Sequence, residues 1–178
     1  MSSYWIDTDI LVSAKNGPFP LNTKVAEVFW SVLAGAFDNG TIKMPRRVYK
    51  EIVEARDERD ELAEWLSNRQ NLCSETPRDV QDFAKHDIGG YLYSKGQHRY
   101  EMRHILRFSR GADPWLIAHA KIDGGAVVTN EVSQEDSTKP KIPDICSHFK
   151  VKCIHLHRLI LCLEQRIGPE HCTDPFRH

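Results

Sequence analysis

The sequence predicts an α/β fold, with three α/β/α layers around a central, mostly parallel sheet of five strands. Three observations lead there. Short, apolar, β-prone segments alternate with segments of helical periodicity along the 178 residues, and that alternation calls for parallel strands joined by helical crossovers. Two segments, Tyr4-Trp5-Ile6 and Ala126-Val127-Val128-Thr129, are short apolar runs, as expected of buried strands. Each leads into an acid, Asp7 and Glu131, and in open α/β sheets functional groups gather beyond the carboxyl ends of the strands.

The elements follow in order. After the first strand, Ile10-Leu11-Val12 is too apolar for a surface loop, and Lys15 to Pro20 is rich in turn residues. Asn22 is placed to cap a helix reaching Asp38, whose inward set at helical spacing is Val25, Val28, Phe29, Val32, Leu33 and Phe37. Asn39-Gly40 ends it. Thr41 to Met44 reads as the second strand, and Pro45 opens a helix with Val48, Ile52 and Val53 inward and Glu51 beside them. A helix over Glu58 to Gln70 carries the stripe Leu62, Trp65, Leu66. Asn71 to Ser74 is a weak third strand.

Pro77 opens a helix that Gly89-Gly90 breaks or kinks, and His98 to Arg110 is helical again. On that last helix Arg99, Arg103, Arg107 and Arg110 recur at spacings of four, four and three. Asp113 has the chemistry of an N-cap, because its carboxylate can accept first-turn N–H groups. Pro114 fits the first helical position, and Gly124-Gly125 tolerate the positive φ that stops a helix. Val132 to Lys141 is a polar loop ending in Lys139-Pro140-Lys141. Pro143 to Cys146 is a short helix, Val151 to Ile154 the last strand, and Leu156 to Ile167 the last helix. Residues 1–168 read as one domain and 169–178 as a flexible tail.

Composition narrows the function. The chain is 40% hydrophobic and 28% charged, with 24 basic and 25 acidic residues and a net charge of −1. That balance excludes a generally polycationic nucleic-acid binder and leaves room for a local basic patch beside an acidic site. No apolar run approaches the ~20 residues that span a bilayer. Met1-Ser2-Ser3-Tyr4 lacks the basic and apolar regions of a signal peptide. The expectation is a cytoplasmic protein, whose five cysteines (odd in number and without a CxxC) are reduced thiols.

The chemistry lies in four acids from four segments: Asp7, Glu51, Asp113 and Glu131. Buried carboxylates are costly unless paired, hydrogen-bonded or bound to a cation. Hard oxygen donors suit Mg²⁺ or Mn²⁺ better than zinc, and such ions serve in-line phosphoryl displacement. Taken singly, Asp113 is also explained as a cap and Glu51 as a solvated helix residue. Arg103, Arg107 and Arg110, with Lys139 and Lys141, are placed to hold an RNA backbone, or, for the arginines, to form a solvated helix face. Cys146, His148, Cys153, His155 and His157 do not have the spacing of a usual zinc finger. No Walker loop, GxGxxG or GxSxG elbow is present.

Four stretches in order, Tyr4-Trp5-Ile6-Asp7-Thr8-Asp9-Ile10-Leu11, Glu51 on an early helix, Gly111-Ala112-Asp113 opening an Ala-rich helix, and Val127-Val128-Thr129-Asn130-Glu131, resemble the PIN domain family. The ADPWLIA and KIPD segments resemble an uncharacterised PIN-like subgroup of its VapC-like toxins. The resemblance implies a five-stranded parallel sheet, a divalent-metal acidic site and single-strand ribonuclease activity. It also implies an antitoxin partner. Asp7, Glu51, Asp113 and Glu131 would be the acidic quartet, with Asp7, Asp113 and Glu131 as metal ligands and Asp9 a further candidate. Asp9 stands where the family often has Asn or Ser, and Glu131 where it usually has Asp, so Asp136 and Asp144 remain alternatives for the fourth acid. The aromatic surplus of Phe29, Trp30, Phe37 and Trp65 suggests a homodimer or a tight partner complex. Two other readings stay open. One is a haloacid-dehalogenase-like phosphatase, with Asp7 as nucleophile and Asp9 as general acid. The other is a non-catalytic RNA- or protein-binding PIN module.

Overall fold

The computed structural model describes residues 2–54, 60–69 and 73–172. Its strands β1 (Tyr4–Ile6), β2 (Ile42–Pro45), β3 (Cys73–Ser74), β4 (Ala126–Val128) and β5 (Lys152–Ile154) form one sheet. Their order is β3-β2-β1-β4-β5 and every neighbouring pair is parallel. The chain winds outward from β1 to β3, then crosses back to place β4 on the other side of β1. The connections therefore diverge between β1 and β4, which opens a crevice at the carboxyl ends of those two strands. Tyr4, Ile6, Ala126, Val127 and Val128 have no solvent exposure, which accounts for the uninterrupted apolar runs.

Helices α1 (Thr8–Asn16) and α2 (Lys24–Asp38) link β1 to β2, and α3 (Arg46–Glu54) and α4 (Glu61–Ser67) precede β3. The long excursion to β4 holds α5 (Arg78–Asp82), a π-helical turn (Phe83–Ile88), α6 (Gly89–Ser94), a 3₁₀ turn (Gly96–His98), α7 (Met102–Arg110) and α8 (Asp113–Asp123). Then α9 (Ile142–His148) joins β4 to β5, and α10 (Leu156–Glu164) follows.

Ile10 and Leu11, too apolar for a surface loop, are indeed core residues, of α1. Several expectations need correction. On α2 the inward face is Ala26, Phe29, Trp30, Leu33, Ala36 and Phe37, while Val25 is 80% and Val28 71% exposed. The aromatic rings bury more apolar area than the valines, so they set the rotation of the helix. Trp30 and Phe37 pack edge-on against Trp65 of α4, at centroid distances of 5.2 and 5.9 Å. The aromatic surplus is thus interior, and the exposed large apolar residues of α2 are its valines.

Pro45 closes β2 instead of opening α3. Gly89-Gly90 lies inside a helical run, and the distortion is the π turn just before it. Arg99 falls outside α7, which starts at Met102. Glu58, Arg59, Gln70, Asn71 and Leu72, where the sequence places the ends of a helix and a strand, lie outside the described residues.

The C-terminal segment is corrected as well. Cys162 and Cys172 form a disulfide with Cα atoms 6.4 Å apart, whereas Cys73, Cys146 and Cys153 are not disulfide-bonded. Tyr4 Oη donates to the Ile167 carbonyl at 2.7 Å and Lys152 Nζ to the Pro169 carbonyl at 3.0 Å. Residues 169–172 are therefore fastened beneath the sheet. The rest of the expected tail, from Thr173, lies outside the described residues. No helix among the described residues is long and apolar enough to cross a membrane.

Candidate active site in the β1–β4 crevice

Strand register builds the site. Ile6 pairs with Val128, so the next residues, Asp7 and Thr129, come level beyond the sheet. The Asp7 N–H continues the ladder to the Val128 carbonyl at 3.0 Å. The Thr129 hydroxyl donates to Asp7 Oδ2 at 2.9 Å. Both side chains are buried. Burial raises the Asp7 carboxyl to about 6, against the lowering effect of the Thr129 bond, with Asp9 and Glu131 adding repulsion.

Asp113 comes from the opposite wall. It does not cap α8: Ala112 occupies the N-cap position, and no side chain caps there. The carboxyl instead faces Asp7, Glu131 and Glu51. Burial first, then those three charges, push it up to about 8, opposed only by Lys141. The sequence rule for Asp before Pro identified the helix start to within one residue and misread what the side chain does.

Glu51 performs the anchoring that Asp113 does not. Its Oε1 accepts the Ala112 N–H at 2.8 Å, tying α3 to the entry of α8 across 61 positions of sequence. Burial of the carboxylate raises its affinity for a proton, while the Ala112 bond and Arg47 act against that. Glu131 is held harder. Its Oε2 accepts the Ile142 N–H at 2.8 Å, at the first residue of α9, and Lys141 Nζ lies 3.3 Å from its Oε1. A carboxylate at a helix N-terminus satisfies an orphan donor and meets the positive end of the helix dipole.

Asp7, Asp9, Glu51, Asp113 and Glu131 line one open cavity of about 520 Å³, with Asn130 and Ile142 on its wall. The four expected acids thus share one site. Asp9 is at the rim, and its Oδ1 accepts the Ser13 hydroxyl at 3.1 Å. The alternative fourth acids are elsewhere: Asp136 is exposed on the loop. Asp144 is paired with Arg99 at 3.1 Å and also takes the Ser133 hydroxyl.

The donor set is all oxygen and excess negative, which fits Mg²⁺ or Mn²⁺. Glu131 has both carboxylate oxygens engaged, Asp7 takes the Thr129 hydroxyl and the Asp9 N–H, and Glu51 uses Oε1 alone, toward Ala112. Among the described residues, no three acids, histidines or cysteines already stand in a metal-holding arrangement. Holding an ion here requires side-chain movement.

None of the arginines lines this cavity. Arg103 pairs with Glu101 at 2.7 Å, and Arg99 donates to the Gln134 carbonyl at 2.7 Å, holding the 132–141 loop. Arg107 and Arg110 are exposed on α7, and Lys139 lies on the loop. Of the basic residues expected at the site, only Lys141 reaches the acids. Its role beside Glu131 was not legible in the sequence, although its place two residues before Pro143 of α9 put it near the strand end. His148 stacks on Tyr91 at 3.8 Å and His155 Nδ1 contacts the Thr129 carbonyl at 2.9 Å, so these histidines serve separate packing roles.

No curated protein matches the chain. One family model does match, over residues 4–167, which takes in every strand and all four acids. On that match the chain belongs to the family described as Domain of unknown function (DUF4411).

Proposed function

We propose that the protein is a divalent-metal-dependent endoribonuclease acting on single-stranded RNA, and the toxin of a toxin–antitoxin pair. The observation that carries the nuclease reading is the crevice where Asp7, Glu51, Asp113 and Glu131 meet at the switch point between β1 and β4. Support also comes from the poor charge balance: Lys141 and Arg47 oppose four carboxylates, and Asp113 is held well above the ordinary carboxylate range. The toxin reading rests on the PIN resemblance.

Asp7 and Asp113 would hold Mg²⁺ or Mn²⁺, which when bound supplies Lewis acidity for phosphodiester hydrolysis. The protein's own groups do the rest. Thr129 orients Asp7 through its hydroxyl. Glu51 fixes the entry of α8, and so the position of Asp113. Glu131 holds the start of α9 and keeps Lys141 at the cavity edge, where its ammonium can meet a phosphate oxygen. Arg107 and Arg110, exposed and on one helix, would take flanking phosphates. An antitoxin and a second copy of the chain are the partners this reading carries, and the exposed Val25 and Val28 of α2 are the surface available to them.

The test is Mn²⁺-dependent cleavage of a single-stranded RNA by wild type, Asp7→Asn, Asp113→Asn and the double variant. Each single change should lower the rate at least a hundredfold. The double should be no worse than either single, because both remove one shared ion. Folded single variants that cleave at the wild-type rate would remove the assignment. Arg107→Ala with Arg110→Ala should reduce the salt dependence of RNA binding by about one unit per lost phosphate contact.

A further inference from the structure

A second cavity lies on the other side of α8 from the acids. It is about 200 Å³ and is lined by Ala84, Lys85, Ile88, Gly89 and Tyr93 from the π turn and α6, and by Ser109 of α7 and Pro114 and Trp115 of α8. We propose that it is a nucleobase site, taking one base of a single strand whose backbone passes over the acidic crevice. The proposal rests on the ribonuclease reading for its ligand, and on its own geometry for the chemistry it recognises: a planar heteroaromatic ring carrying a phosphate.

Four observations support it. The volume is below that of a drug-sized ligand pocket and suits a single ring system. Its lining is mostly apolar and includes the half-exposed Tyr93 and the buried Trp115. Cations flank that indole: the Arg47 guanidinium lies 4.0 Å from its centroid and Lys85 Nζ 6.0 Å. Aromatic surfaces beside cations are the general means of holding single-stranded nucleic acid.

The third observation is an unmet polar group. Ser109 Oγ is buried and has no hydrogen-bond partner among the described residues. A helical serine ordinarily bonds back to its own helix, whereas this one, on a residue that lines the cavity, keeps an unused hydrogen bond. The fourth is the π turn itself. Such turns cost a helix regular hydrogen bonding and recur at functional sites, and here the turn supplies Ala84, Lys85 and Ile88 to the wall.

The two sites are coupled in space. Asp113 and Trp115 are two positions apart on the first turn of α8, so they face different ways from one short stretch of backbone. A strand rounding the α8 terminus crosses about 10 Å, the width of a helix with its side chains. Arg47 lies between the sites, stacked on Trp115 while also lowering the proton affinity of Glu51.

Gly89 allows a test that does not disturb folding. Its backbone is helical, with φ −60°, and an added Cβ meets only the Ala84 carbonyl, at 3.6 Å. Gly89→Leu therefore fills the cavity while improving helix propensity. Binding of labelled single-stranded RNA in EDTA is measured by anisotropy for wild type, Gly89→Leu and Lys85→Ala. It is repeated with a strand carrying abasic positions, and nucleoside monophosphates are titrated calorimetrically.

The expected result is about tenfold weaker RNA binding by Gly89→Leu, a similar loss when wild type meets the abasic strand, and no further loss when the two are combined. Lys85→Ala should weaken RNA and mononucleotide alike. If Gly89→Leu and Lys85→Ala bind RNA like wild type while Asp113→Asn abolishes cleavage, the base site is wrong and the nuclease stands. If RNA is neither bound nor cleaved, yet mononucleotide binds and is lost in Gly89→Leu, the cavity is a free-nucleotide site and the nuclease reading falls. If neither RNA nor mononucleotide binds, the base site is overturned, and cleavage by wild type alone decides the nuclease.

Discussion

Asp113 carries its carboxyl among Asp7, Glu131 and Glu51, with Lys141 as the one opposing charge. Its folded value of about 8 lies above its ordinary 3.8, so the folded state holds a proton that the unfolded chain has released. That contribution to stability is complete below the unfolded value and is lost as pH rises through the folded one. Without metal, the melting temperature should therefore fall between about pH 4 and pH 8. Asp113→Asn should flatten this limb and melt several degrees above wild type at pH 8, with the two converging near pH 4. Thermal melts in a chelator check it, and a wild type whose melting point is level across that range would contradict it.

His119 has the opposite sign. It is buried, stacks on Trp5 at 4.4 Å, and its Nε2 has no partner among the described residues. Burial lowers it from 6.5 to about 4, so the fold requires the neutral ring. Its contribution is present above pH 6.5 and lost as pH falls through about 4. His119→Phe keeps the stack and should remove that acid-limb loss, as melts from pH 4 to pH 7 would report.

The entry of α8 depends on a contact made from another element. The Glu51 to Ala112 bond joins two helices, and its length leaves no slack. Glu51→Gln retains an amide oxygen as acceptor, so stability should hold while any metal-dependent activity falls. Glu51→Ala should in addition cost about 1 kcal/mol in urea unfolding. The exit of α8 is set by glycines. Gly124 has φ +67°, the left-handed conformation of a helix stop. At Gly125 a Cβ would stand 2.1 Å from the Ser3 carbonyl oxygen, so the backbones at the start of β1 and β4 approach too closely for any side chain. Gly125→Ala should cost about 2 kcal/mol or more, well above Gly124→Ala at about 1 kcal/mol. Equal losses would mean that the β1–β4 approach adapts freely.

Across the whole molecule, the doubly wound order places the acids at one end of the sheet and the disulfide-linked segment at the other. Cys162–Cys172 closes a loop across ten positions. In the chain-entropy account, a loop of that size stabilises by roughly 2–3 kcal/mol. Cys172→Ser should therefore lower the melting temperature by several degrees and abolish its sensitivity to dithiothreitol. Cleavage should be unchanged, since the segment is remote from the crevice. A wild type whose melting is insensitive to reductant would show that the disulfide carries no weight.

The sequence by itself determined the strand and helix alternation, because a strand buried on both faces has no polar positions and Tyr4–Ile6 and Ala126–Val128 show none. It also determined the chemistry of the strand ends, since Asp7 follows the first run directly and Glu131 lies just past the second. Tertiary structure decided what each acid touches. Asp113 has the local signature of a cap, but no side chain caps that end; Glu51, 61 positions from Ala112, holds the Ala112 N–H, and Asp113 is left in the crevice. Tertiary structure likewise decided which face of α2 turns inward. Helical spacing admits either the valine stripe or the aromatic one, and only the presence of Trp65 on α4 selects the rings. It paired Cys162 with Cys172, which spacing alone does not specify. Periodicity and capping are near-neighbour physics, readable within one turn or strand. Register, burial and pairing are settled by competition among distant contacts, and that competition resolves only when the sheet closes.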